Sequence, residues 1–155
     1  MRIGLGFDAH ELVDRRPLKL GGATIEFQKG LIGHSDGDVI LHALSDAILG
    51  ASAAGDIGMH FRDDDKETEG IDSMRILEFA LEQASKAKLA LHNIDLVLIA
   101  DQPKLSKSYE IIRASVAAGC GIQTDRVSVK AKTTEGTSFS KNAIACYAVV
   151  LMEEL

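Results

Sequence analysis

Asp8-Ala9-His10, near the start of the chain, and His42 further on together offer one carboxylate and two imidazoles. Three such ligands from two elements can hold a metal and leave a fourth position open. That is the arrangement of a catalytic zinc, whereas structural zinc is more often closed off by cysteines. Asp8 and His10 stand two apart, and in a strand residues two apart share a face, so both can reach one ion. Arg2–Phe7 reads as that strand, with Gly4 and Gly6 marking a close approach to its backbone. Taken alone, Asp-x-His is equally the pattern of a solvated strand end with a surface histidine. The case for a metal is the joint one with His42.

The elements that must position these groups follow from periodicity. His42 lies in Val39–Leu49, where Ile40, Leu44, Ala47 and Ile48 recur at helical spacing and define a core face. His34-Ser35-Asp36-Gly37-Asp38 precedes the helix, with Ser35 or Asp36 as the expected N-cap. Asp38, His42 and Asp46 stand four apart as a polar stripe. The stripe is either a solvent face or a ligand histidine with an adjacent carboxylate on its other ring nitrogen. Leu18–Leu20 is a short strand ending at Gly21-Gly22, a turn signal. Gly50 to Asp65 has no period and reads as the helix end plus a loop. Asp72 or Ser73 caps a helix over Met74–Lys88, with Met74, Leu77, Leu81 and Ala84 on one face. Asn93–Ala100 is a buried strand that Pro103 ends. A third helix runs from Ser106 to Gly119 or Gly121, and Val127–Ala131 and Ala143–Met152 read as two more strands. Strands interleaved with three helices predict an α+β fold, with helices on one face of a sheet.

The chain has 155 residues, a length suited to one domain over 1–155, and its 46% hydrophobic content argues against disorder. No apolar run reaches the length of a membrane span, and neither a signal peptide nor a transit segment is legible, so a cytoplasmic protein is expected, or a plastid stromal one if a transit segment was removed. Cys120 and Cys146 have no pairing motif and are expected as reduced thiols. A net charge of −6 without a basic stretch makes nucleic acid an unexpected partner. It does not exclude a phosphorylated small molecule, which metals and backbone N–H groups bind locally.

Phe7-Asp8-Ala9-His10, Gly21-Gly22, Lys29-Gly30-Leu31, His34-Ser35-Asp36-Gly37-Asp38 and Leu41-His42-Ala43-Leu44 occur in this order. They are followed by Gly55-Asp56-Ile57-Gly58, Phe61 with Asp63 and Asp65, Pro103-Lys104, Val129-Lys130-Ala131 and Thr133-Thr134-Glu135. Through these motifs, over essentially its whole length, the chain resembles the 2-C-methyl-D-erythritol 2,4-cyclodiphosphate synthases. The resemblance implies a small two-layer α/β sandwich, a mixed sheet with helices on one face, assembling as a homotrimer with sites at subunit interfaces. It implies a substrate, 4-diphosphocytidyl-2-C-methyl-D-erythritol 2-phosphate, whose 2-phosphate attacks the β-phosphorus, releasing CMP and closing the cyclic diphosphate. It also implies one zinc per subunit on Asp8, His10 and His42, and a second divalent ion, magnesium or manganese, near Glu135.

Further roles are implied residue by residue. His34, with Thr133, corresponds to the family's transition-state stabilisers; without the family, His34 reads as a helix-capping loop histidine. Ser35 holds phosphate, and Asp8, Ala9 and His10 border the substrate. Asp56, Ile57 and Gly58 correspond to contacts with the methylerythritol hydroxyls, where the bare sequence shows a plain turn. Phe61, Arg62, Asp63, Asp64 and Asp65 line the same pocket in the family, although Arg62 and Asp64 replace the commoner Pro and Thr, and the Asp run also reads as solvated. Ala100, Asp101, Gln102, Pro103, Lys104, Leu105 and Ser106 correspond to the cytidine-binding segment, with Asp101 and Gln102 standing where Gln-Ala is more usual. Lys132, where threonine is common, either meets a phosphate or faces the subunit interface. Thr134 and Phe139 complete the set. After Phe139 the family continues Thr-Gly-Arg-Gly-Glu-Gly, a loop on the threefold axis, whereas this chain reads Ser140-Lys141-Asn142-Ala143. Binding of an isoprenoid diphosphate there is therefore expected to be weak. Two other classes fit the bare motif: a zinc phosphoesterase that activates water, and a non-catalytic trimeric binding module with structural zinc.

Overall fold

Alternation along the first segment builds β1 (Arg2–Asp14), with Gly4, Gly6 and Leu12 buried on one face and Ile3, Leu5 and Phe7 exposed on the other. In the computed structural model, residues 1–62, 70–137 and 142–155 are described. Asp63, Asp64, Asp65, Phe139, Ser140 and Lys141, named above, lie outside them. β2 (Leu18–Leu20) and β3 (Ala23–Ile25) form a small hairpin turned by Gly21 and Gly22 at φ 65° and 82°. β4 (Lys29–Leu31) then pairs antiparallel with the far end of β1. The remaining elements are α1 (Val39–Ala51), α2 (Ile57–His60), α3 (Ser73–Lys86), β5 (Leu89–Ala100), α4 (Tyr109–Cys120), β6 (Val127–Lys132) and β7 (Ala143–Glu154).

The main sheet has the order β4-β1-β7-β5-β6; every neighbouring pair is antiparallel except β5 and β6. One face carries the helices. On it Ile144, Cys146, Ala148, Val150 and Met152 of β7 are fully buried. On the other face Ile3 is 71% exposed, Leu5 65% and Phe7 49%, beside the half-exposed Tyr147 and Val149. The α+β architecture, a mixed sheet covered on one side, is as expected. Among the described residues no helix is long and apolar enough to cross a membrane.

Several boundaries differ from expectation, each for a local reason. The cap of α1 is neither Ser35 nor Asp36 but Asp38, whose carboxylate accepts from the amides of Ile40 and Leu41, and also from Gly21 and Gly22 at the hairpin turn. α1 is buried on nearly its whole circumference because it lies between the sheet and α3. In α3, capped by Asp72, the core face is Ile76, Leu77, Ala80 and Ala84, while Met74 and Leu81 are only partly covered. β5 begins four residues earlier than its periodicity suggested, because a bulge between Leu91 and Asn93 breaks the alternation. Ser106 falls in a separate 3-10 turn over Leu105–Lys107, and α4 follows, ending at Gly121 in the left-handed region. The stretch from Gly50 onward contains α2.

Candidate metal centre and active site

The centre is built by a close approach of helix to strand. A Cβ on Gly4 would lie 1.8 Å from the carbonyl oxygen of Ala47, and one on Gly6 would lie 1.9 Å from that of Ala43. Only glycine therefore lets the backbone of α1 settle directly on β1. Asp8 and His10 continue the same face of the strand, and His42 precedes Ala43 on the helix, so the three side chains converge.

Their ligand atoms form a tight triangle. Asp8 Oδ2 lies 2.7 Å from His10 Nε2 and 3.0 Å from His42 Nδ1, and the two ring nitrogens are 3.1 Å apart. Around a tetrahedral zinc with bonds of about 2.0–2.1 Å, donor atoms stand about 3.3 Å apart. The triangle therefore needs to open by only a few tenths of an ångström, and a carboxylate with two imidazoles is the donor chemistry zinc takes. Burial alone would raise the Asp8 carboxyl. Hydrogen bonding and electrostatic attraction from the His10 and His42 rings override it and hold the group well below the usual carboxylate range, as a ready anion.

The second ring nitrogen of His42 meets no carboxylate from the polar stripe. Asp38 is fully buried as the helix cap, and Asp46 Oδ1 accepts from the Ile57 amide at 2.8 Å. The stripe is thus neither a solvent face nor a direct carboxylate partner. His42 Nε2 instead lies 2.8 Å from Ser35 Oγ and 2.9 Å from Ser73 Oγ. Ser73 donates to Asp36, whose other oxygen takes Lys19 Nζ at 3.2 Å. Burial would raise the Asp36 carboxyl, but Ser73, Lys19 and the Asp38 amide together lower it.

A cavity of about 270 Å³ opens beside the triad. His34, Ser35, Ile57, Gly58 and Phe61 border it, as do Ile71 and Ile76, which the sequence reading did not single out. Asp56 does not border it but caps α2 through the Met59 amide at 3.0 Å, fixing the wall that carries Ile57 and Gly58. Ala9, on the opposite face of β1, lines a different hollow with Phe7, Ile99, Thr134, Ala143, Ala145 and Tyr147.

The other expected site residues gather where β5 and β6 end. Asp101 accepts from the Thr134 amide and hydroxyl, both at 2.8 Å, and Thr133 donates to Glu135 at 2.6 Å. Glu135 has φ 52°, in the left-handed region, and Gln102-Pro103 is a cis peptide. Ala100 and Leu105 are buried anchors of this corner, whereas Lys104, Ser106 and Lys132 are exposed. Within one chain, neither this group nor Arg62 borders the triad cavity.

A three-ligand centre with an open side, at the mouth of a cavity on a half-covered mixed sheet, defines a candidate metalloenzyme of the α+β class. The chain belongs to the YgbB family, whose pattern matches residues 1–153. It is 50% identical over 156 residues to the 2-C-methyl-D-erythritol 2,4-cyclodiphosphate synthase of Pelotomaculum thermopropionicum, covering 99% of this chain and 96% of that protein. Its fold is similar to a structure of 2C-methyl-D-erythritol-2,4-cyclodiphosphate synthase in a CDP-bound form, with TM-score 0.91, 37% identity, and coverage of 98% of this chain and 100% of that one. It also matches the bifunctional IspDF of Campylobacter jejuni with TM-score 0.94 and 37% identity, where 99% of this chain covers 42% of the longer protein.

Proposed function

We propose that residues 1–155 form one cyclodiphosphate synthase domain that converts 4-diphosphocytidyl-2-C-methyl-D-erythritol 2-phosphate into 2-C-methyl-D-erythritol 2,4-cyclodiphosphate and CMP. The observation that carries the reading is the Asp8–His10–His42 triangle beside its cavity, in a chain similar end to end to synthases of that name. In the reaction a 2-phosphate oxygen bonds to the β-phosphorus and the bond from that phosphorus to the CMP oxygen breaks. No water is consumed. Two anionic groups of one molecule must be folded together, so positioning and charge neutralisation are the main tasks.

Asp8, His10 and His42 would hold a zinc ion, which when bound supplies Lewis-acid polarisation of the diphosphate. Ser35, with a hydroxyl on the cavity wall, binds the phosphate end of the substrate, and His34 places an imidazole at the same mouth. Ile57, Gly58 and Phe61 enclose the methylerythritol carbon skeleton and keep out competing water. The Ala100–Ser106 corner takes the cytidine through its backbone groups. Thr133 and Glu135 sit beside that corner, where Glu135 would hold the second divalent ion, magnesium or manganese, an oxygen-ligand site suited to a hard cation.

These two groups do not share a cavity in one chain, and the uncovered sheet face is apolar from Ile3 to Val149. Both features support a homotrimer in which the corner of one subunit completes the cavity of the next. Incubation with the diphosphocytidyl substrate and magnesium, followed by phosphorus NMR, should show equal release of CMP and cyclic product. His42→Ala should lose both zinc and turnover while keeping its fold. A linear phosphorylated product would make the chain a hydrolase, and absence of CMP would refute the assignment.

A further inference from the structure

The hydrogen bonds behind His42 fix the direction in which protons are held. Asp36 accepts from Lys19 Nζ on Oδ2 at 3.2 Å and from the Asp38 amide on Oδ1 at 3.3 Å. An ionised carboxylate has no proton to give, so the hydrogen between Ser73 and Asp36 is the serine's. A serine hydroxyl has one hydrogen. Towards His42, Ser73 Oγ can then only accept, so it holds a hydrogen on Nε2, 2.9 Å away, and offers none to that nitrogen's lone pair. A neutral imidazole also has one N–H. Asp8 Oδ2, 3.0 Å from Nδ1, competes for it; with the hydrogen on Nε2, the Nδ1 lone pair is left for a metal ion shared with Asp8 and His10.

We propose that Ser73, oriented by Asp36, is a positioning residue that selects the Nε2-protonated tautomer of His42 and aims its Nδ1 lone pair at the metal. The inference rests on the reading of Asp8, His10 and His42 as a zinc site. The backbone holds the relay in place: the Asp36 amide donates to the Ile71 carbonyl at 3.2 Å and the Gly70 amide to the His34 carbonyl at 2.8 Å. The start of α3, and with it Ser73, is thereby tied to the loop that carries Asp36. Ser73 and His42 are both buried, so water does not compete for the bond. A second consequence concerns Ser35. Its oxygen receives the Gly37 amide at 3.1 Å and shares the His42 proton at 2.8 Å. Because Asp36 takes the hydrogen of Ser73, Ser35 keeps its own hydrogen for Ser73 or for an oxygen of a ligand in the cavity.

Two variants test the relay. Ser73→Ala removes the acceptor that has no hydrogen of its own to offer and leaves Nε2 with Ser35, which can donate to it as well as accept. Asp36→Asn leaves the serine but can present an NH2 group, which lets Ser73 turn its hydrogen towards His42 and favours the opposite tautomer. Zinc affinity, measured by competition with a chromophoric chelator, should fall about 10- to 100-fold in each. The double variant should bind no more weakly than Ser73→Ala, because Asp36 acts through Ser73. Long-range nitrogen-15 correlation spectra of the metal-free protein, with histidine neutral, should show a larger Nε2–H share of His42 in the wild type than in either variant, against the pull of the Asp8 carboxylate on Nδ1. Each variant should shift the population towards Nδ1–H donating to Asp8. A merely structural role would alter melting temperature and leave the tautomer alone. Wild-type tautomer and zinc affinity within twofold in both variants would overturn the proposal. Failure of the wild-type chain to take zinc would overturn the metal site instead, and the tautomer spectra would still decide the relay.

Discussion

Gly6→Ala tests the packing that assembles the metal centre. The added carbon would stand 1.9 Å from the Ala43 carbonyl oxygen and 2.8 Å from the Ala47 nitrogen, both backbone atoms of α1. Ordinary contact begins near 3.4 Å, so strand and helix must separate by roughly 1.5 Å. No side chain can turn aside to relieve this. α1 is itself wedged against α3, so the separation disturbs packing on both of its sides. Overpacking of this kind typically costs about 1–3 kcal/mol, and with backbone on backbone the upper end is expected. Metal–ligand distances tolerate only about 0.2 Å, so the variant should also lose its zinc. Gly50→Ala is the control. It lies on the same helix with nothing within 4 Å of the new methyl group, and should be neutral or up to about 1 kcal/mol stabilising. Urea titrations with and without zinc, and metal analysis of the purified proteins, read both effects. A Gly6→Ala protein within about 0.5 kcal/mol of wild type that keeps its zinc would refute the close approach.

Glu135→Gln keeps the size of the side chain and the Thr133 contact but removes a charge; turnover should fall sharply and recover in part at raised magnesium, with bound zinc unchanged by metal analysis. Asp36 has its folded pKa lowered and Lys19 has its raised, so their contribution to stability should be complete between about pH 4 and pH 10. It should be lost as pH falls through the folded Asp36 value or rises through that of Lys19; in urea titrations across pH, Asp36→Asn should differ from wild type on the plateau and match it in strong acid. Burial pushes the Cys120 thiol up to about 12, and Cys146 higher still. At about pH 8 both should react with a disulfide reagent on the order of a thousandfold more slowly than the unfolded chain, as followed by absorbance.

What the sequence revealed depended on the range of each signal. Asp8 and His10 were legible because a strand repeats every two residues, and His42 because a helix repeats every 3.6. Gly4 and Gly6 announced a close neighbour, though not that it would be α1. The partner of His42 Nε2 was misread for the opposite reason: Ser73 comes from another helix, and no local period connects the two. Asp38 looked like part of a surface stripe because its obligations to Gly21 and Gly22 cross from one element to another. β3 and β4, three residues each, are too short to show alternation. The Asp101–Thr134 contact became visible only once β5 and β6 were paired, with Ile99 opposite Lys132.

The glycine pair of β1 has a consequence for how the strand finds its partner. β1 pairs with β7 over ten positions from Arg2–Met152 to Glu11–Ala143. A slip by one residue would turn Ile3, Leu5 and Phe7 towards α1 and put Asp8 and His10 on the opposite side. At the positions of Gly4 and Gly6 the helix leaves room for a hydrogen atom and no more. The misregistered chain could therefore not accept α1 at all and would leave the apolar faces of the helix uncovered. Two missing side chains thus proofread strand pairing: only the register that brings the metal ligands together lets the helix dock.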